Sequence, residues 1–270
     1  MNTFLTLLTA LVLGASSALA QQSFDLDDIA KVDLIRGWQT DDGNHQGAVR
    51  ITLAKGWKTY WRVGGENGLP PSFDWQRSEN LAGVSIFWPR PEILTTDGVR
   101  IVGYKNQLIL PIEFSPETEG EEISIDLVLR LGVCQEVCVP VQIPLKGTFG
   151  AEPGDDRFLI ELALANGVTN GDEAGFSAHN CNLTPIEDGY LLSAQISQTA
   201  NFSPEYVMVE TATDEVWVAP TSFTQKSTEI HAKTSMLSYG SDAIEIDTDN
   251  LRITLISADQ AVEIIGCPTG

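Results

Sequence analysis

Apolar and polar residues alternate one by one along much of this 270-residue chain. Val49, Ile51 and Leu53 fall on one side of an extended segment, with Arg50 and Thr52 on the other. Leu108, Leu110, Ile112 and Phe114 repeat the pattern. The clearest run is Ile123, Ile125, Leu127, Leu129 and Leu131, set against Ser124, Asp126 and Arg130. Successive strand residues point to opposite faces, so this period marks half-buried strands. Turn-formers separate the runs at Asp41-Asp42-Gly43-Asn44, Gly64-Gly65, Asn67-Gly68 and Thr118-Glu119-Gly120. In the second half, short strand candidates cover residues 190–196, 206–210, 216–219, 243–246, 251–257 and 261–265. Such close spacing predicts an all-β architecture of sandwiches, not alternating strands and helices.

One segment breaks the period. Around residues 157–167, Phe158, Ile160, Leu162 and Leu164 mix with good helix formers. An Asp stands ready to cap the start, and Gly167 to end it. The expected division is a leader at 1–20, a first β domain at 21–150, a helical linker at 151–175 and a second β-sandwich at 176–270.

The leader follows from residues 4–13, an apolar run too short to span a bilayer, and the small-residue site Ser16-Ser17-Ala18-Leu19-Ala20 behind it. No Lys or Arg precedes that run, and the first basic residue is Lys31. No other segment approaches the roughly 18 apolar residues of a membrane helix. The expectation is an exported protein with no direct membrane insertion. Its 37 acidic and 16 basic residues give a net charge of −21, which repels phosphate backbones, so nucleic acid is not an expected partner.

Export changes the meaning of the four cysteines, Cys134, Cys138, Cys181 and Cys267, because disulfides persist in oxidising compartments. Four cysteines allow three pairings, and spacing alone does not choose among them. Should Cys134 and Cys138 bond to each other, Gln135-Glu136-Val137 must turn, because four extended steps cover about 13 Å and a disulfide needs Cα atoms about 4.4–6.8 Å apart. That places the end of the strand near Gly132. On the chain-entropy model such a loop of about 5 residues contributes about 2 kcal/mol, while closing about 87 residues from Cys181 to Cys267 contributes about 4.6 kcal/mol. This favours a structural role for Cys181–Cys267 and a functional one for Cys134 and Cys138. The alternative is a non-catalytic exported binding or assembly module in which both disulfides are structural, the short one a simple loop lock. A copper-handling pair is a weaker one, since His45, His179, His231 and the three Met lie far from the pair in sequence. No metal site and no cofactor are expected.

Four stretches carry a family resemblance: KGWKTYWRVGGENGLPPSFDW, IFWPRPE, GYKNQLILPIEF and LRLGVCQEVCVP. In this order, over about residues 45–145, they resemble the N-terminal periplasmic domain of the DsbD family and its ScsB relatives. The second half, ending in Ile264-Ile265-Gly266-Cys267-Pro268, resembles the extra domain of ScsB-type members. The resemblance implies two immunoglobulin-like β-sandwich domains and a protein-disulfide reductase of the periplasm that needs no cofactor. It implies a separate membrane thiol carrier or thioredoxin-like module as electron donor. Periplasmic thioredoxin-fold proteins, such as disulfide isomerases, would be acceptors. Cys138 would bond to the partner and Cys134 would resolve that bond. Tyr60, Trp61, Val99 and Tyr104 would shield the pair or face the partner, with a cap over residues 95–101. The resemblance departs in two ways: the cysteines stand closer together than in DsbD, and the cap lacks an obvious aromatic. Ile93, Leu94 and Val99 would then do the covering.

Overall fold

A computed structural model describes residues 25–64, 68–96, 98–199, 202–213, 215–240 and 245–269. The expected leader and the Gly65 to Asn67 part of one turn lie outside the described residues. So do Ala243 and Ile244 of the strand expected at 243–246, whose described residues Glu245 and Ile246 are not in a strand.

The chain opens with a single helical turn, α1 (Leu26–Ile29), and then builds two sheets. The first joins β1 (Ala30–Gln39), β2 (His45–Leu53), β8 (Gln107–Pro116) and β5 (Leu81–Ile86), in the order β1-β2-β8-β5. The second joins β10 (Cys138–Phe149), β9 (Ile123–Cys134), β3 (Lys58–Tyr60), β7 (Val99–Lys105) and β6 (Glu92–Thr96), with β4 (Ser72–Asp74) also paired to β9. The pairs in both sheets are antiparallel. Their inward residues form one core, which includes Ile51, Leu110, Phe114, Ile123, Ile125, Leu127 and Leu129, all at 2 % exposure or less. These are the alternating positions of the sequence runs, and their period is what closes the sandwich.

A longer helix, α2 (Arg157–Ala165), follows. Ile160 is its buried contact, packed against Ile35 of β1 and Ala48 of β2. Asp156 stands at the N-cap, but its side chain makes no capping bond and instead takes Arg50 Nη1 at 3.3 Å. The helix ends at Ala165 with Asn166 as C-cap, ahead of Gly167.

The remaining strands form a second pair of sheets. One runs β11 (Thr169–Asn170), β19 (Ala261–Ile265), β18 (Arg252–Ile256), β14 (Tyr206–Glu210); its β11–β19 pair is parallel. The other runs β12 (Phe176–Ile186), β13 (Gly189–Gln198), β17 (Glu229–Ser238), β15 (Val216–Val218), with β16 (Ser222–Lys226) also on β17. The short α3 (Gly171–Ala174) links β11 to β12. Cys181 and Cys267 are bonded inside this second core, 1 % and 0 % exposed, and join β12 to the segment after β19. Met208, Ile256 and Ala261 belong to the core cluster of the first sandwich, so the two sandwiches share a packed apolar boundary. Among the described residues, no helix is long and apolar enough to cross a membrane.

Candidate active site

The ladder between β9 and β10 runs without a shift from Ile123↔Phe149 to Cys134↔Cys138. The two cysteines are therefore direct cross-strand partners at the turn end of a hairpin, bonded to each other with Cα atoms 4.1 Å apart. Gln135, Glu136 and Val137 make the turn, closed by Gln135 N donating to Val137 O at 3.1 Å. The strand does not end near Gly132; it continues to Cys134. Gly132 is there for another reason: a Cβ would come within 2.6 Å of Leu69 Cβ. The glycine admits a neighbouring side chain and leaves the strand intact.

The two sulfurs differ in access. Cys138 is exposed, whereas Cys134 is 1 % exposed. Period two explains what covers Cys134. Cys134 pairs with Lys58 across β9 and β3, so Lys58 and Tyr60 share its face of the sheet. Tyr60 pairs with Gly103, which puts Ile101 and Val99 of β7 on that same face. Leu94 of β6 is the register partner of Ile101. Tyr60, Ile101 and Cys134 form a small buried cluster with Leu94 and Val99 against it, apart from the main core. The tight β3–β7 approach needs Gly103, where a Cβ would sit 2.2 Å from Thr59 O.

Tyr60 brings the polar group. Its hydroxyl lies 3.3 Å from Cys138 Sγ and 3.4 Å from Cys134 Sγ. With the sulfurs bonded, the phenol is the only proton donor among the three, and it donates toward the bridge. Burial pushes the Tyr60 phenol above its ordinary value, which keeps that proton in place. Lys58 Nζ reaches Gln135 O at 3.4 Å, placing an ammonium on the rim of the turn.

Of the residues expected around the pair, Tyr60 and Val99 are brought to the sulfurs. Trp61 and Tyr104 are not. Both point to the opposite face and lie in the main core, at 0 % and 5 % exposure. The Tyr104 hydroxyl donates to Pro89 O at 2.7 Å, and burial raises its phenol well above the ordinary value, with Arg62 pulling weakly the other way. The same alternation turns Ile93 into the core, so Leu94 does the covering. Ile101 was not singled out in the sequence. Its signal is its place two residues after Val99 and two before Gly103. Among the described residues no group of three or more His, Cys, Asp or Glu is arranged to hold a metal ion.

Fold and site together define a class: an immunoglobulin-like β-sandwich with a disulfide across the end of a hairpin and a tyrosine beneath it. Residues 28–149 match the family model "Thiol:disulfide interchange protein DsbD, N-terminal". The fold is similar to the crystal structure of the N-terminal periplasmic domain of ScsB from Proteus mirabilis, with a TM-score of 0.66 and 18 % identity. That match covers 92 % of this chain and 97 % of the other, so both sandwiches are shared. The reduced N-terminal domain of DsbD from Neisseria meningitidis also matches at 22 % identity, over 47 % of this chain and 93 % of that one, with a TM-score of 0.25. No curated protein sequence matches the chain.

Proposed function

We propose that this protein is a periplasmic thiol–disulfide exchange module that reduces thioredoxin-fold partners through Cys134 and Cys138. The observation that carries the reading is the asymmetry of the pair: one sulfur exposed, the other buried, with a phenol proton beside both. The family model matched over residues 28–149 supports thiol–disulfide interchange in its broad sense.

The steps follow from exposure. In the reduced domain the Cys138 thiolate attacks one sulfur of a partner disulfide. The partner S–S bond breaks, a mixed disulfide forms at Cys138, and the partner's other sulfur leaves as a thiolate. Cys134, deprotonated, then attacks Cys138 Sγ. This closes the internal bridge, releases the partner's second thiol, and completes a two-electron transfer. Recharging runs the sequence backwards: a donor thiolate attacks exposed Cys138 Sγ and Cys134 is the leaving group. A thiolate buried among Leu94, Val99 and Ile101 is disfavoured by desolvation. The Tyr60 hydroxyl offsets part of that cost by donating to whichever sulfur carries charge. Val137, 54 % exposed beside Cys138, offers a small apolar contact for a docking partner. The donor would be a membrane thiol carrier or a thioredoxin-like module.

The test is the reduction potential of Cys134–Cys138, read by thiol trapping across a graded redox buffer, with Cys181–Cys267 as internal reference. A value of about −180 to −270 mV is expected for a pair that passes electrons. A value below about −300 mV would make the bridge a staple and end the redox reading.

A further inference from the structure

Arginines of the first sandwich reach across to the second at three points. Arg90 Nη1 donates to Ala258 O at 2.9 Å. The other two are Arg62, in the segment just after β3, and Arg100, in β7. Arg62 follows Tyr60 by two residues, with its guanidinium 4.0 Å over the Trp61 ring. It holds both oxygens of Glu210, Nε to Oε1 at 2.9 Å and Nη2 to Oε2 at 2.8 Å, and also meets Thr254 and Glu263. Its side chain is only 12 % exposed. Burial pulls against its charge, but Glu210 and Glu263 more than compensate, so the guanidinium is held ionised. Arg100 lies in β7 between Val99 and Ile101. Its Nη2 donates to Glu205 O, and its guanidinium lies 5.0 Å over the Tyr206 ring.

These contacts converge. Glu205, Tyr206 and Glu210 belong to β14 and the residue leading into it. One strand of the second sandwich thus grips β7, which carries Val99 and Ile101, and the segment directly after β3, which carries Tyr60. Alternation makes this possible, because Arg100 leaves β7 on the side opposite its two apolar neighbours.

We infer that the second sandwich is a brace that holds the β6–β7 hairpin against Cys134, with Arg100 and Tyr206 as its positioning residues. The inference deepens the proposed exchange function and rests on it for its biological meaning. The brace leaves Cys138 open as the one sulfur offered to partners and keeps Cys134 covered until it is needed to resolve the mixed disulfide.

The experiment is differential alkylation of the full chain after chemical reduction, with iodoacetamide as the probe and mass spectrometry reading Cys134 and Cys138 separately. Arg100→Ala and Tyr206→Ala should each speed modification of Cys134 by about fivefold, the scale of one exposed cation–π contact with its hydrogen bond. Cys138 should react at the wild-type rate, and Arg100→Lys should recover part of the protection. An unchanged Cys134 rate in both alanine variants would overturn the brace. So would an equal rise at Cys134 and Cys138, which would mean general loosening. Failure of the redox reading would appear elsewhere, as a wild-type bridge that resists thioredoxin-fold partners, because alkylation is performed on protein already reduced by chemical means.

Discussion

The two disulfides do opposite things with the same bond. Cys181–Cys267 ties residues 86 apart in sequence, and both its sulfurs are sealed in the second core. Cys134–Cys138 ties residues four apart at a hairpin end, already held together by a continuous ladder, and one sulfur faces solvent. The first restricts the unfolded chain and is out of reach of any attacking thiolate. The second restricts little that the ladder does not, but it is reachable. A bridge's job can be read from what it adds to the backbone hydrogen bonds around it and from which sulfur a partner can touch.

Removing the long bridge should separate the two most sharply. A Cys181→Ala, Cys267→Ala variant should lose about 4–5 kcal/mol, most of it from the second sandwich, by denaturant unfolding. Its Cys134–Cys138 pair should still exchange with a thioredoxin-fold substrate; loss of exchange in a folded variant would break the division of labour. The converse variant, Cys134→Ser with Cys138→Ser, should lose no more than about 2 kcal/mol and yet have no exchange activity. Tyr60→Phe is a finer probe. Deleting one hydroxyl should cost about 1 kcal/mol or less in stability while slowing release of Cys134 several-fold in stopped-flow reduction, and equal rates in both proteins would remove Tyr60 from the mechanism.

The smallest effect concerns acid. His45 of β2 is 3 % exposed, and burial lowers its pKa below the ordinary 6.5. The unfolded chain therefore binds a proton more readily than the folded one. This contribution to stability is fully present above about pH 6.5 and is lost as pH falls from there through the lowered folded value. Unfolding curves taken across this range should show the first sandwich weakening first, and His45→Gln should flatten its slope. An unaltered slope in that variant would assign the acid response elsewhere.

Much of this architecture is written in the alternation itself. β14 and β19 occupy 206–210 and 261–265, the bounds read from the pattern, because an apolar run between turn residues has few other ways to be buried. β10 was not legible. Pro140 and Pro144 argue against a strand, yet they are tolerated because β10 is the edge of its sheet, where one side of the backbone needs no partner. At the site, the cysteine pair and Tyr60 stand out in sequence. The roles of Trp61, Tyr104 and Ile93 do not, because a single step of register decides which face a side chain takes. The grip of Arg62 and Arg100 on β14 joins positions more than a hundred residues apart, and no local pattern encodes such a contact.

The unbroken β9–β10 register has a further consequence once the bridge is open. Reduction cuts one covalent link but leaves every rung from Ile123↔Phe149 upward, so the two thiols stay neighbours on a rigid frame. Attack of Cys134 on a mixed disulfide at Cys138 is then intramolecular, and well-oriented groups of this kind reach effective molarities of about 10⁵ M or more. No partner thiol in solution competes at that concentration. Covalent complexes with partners should therefore be fleeting in the native protein and accumulate only when Cys134 is replaced.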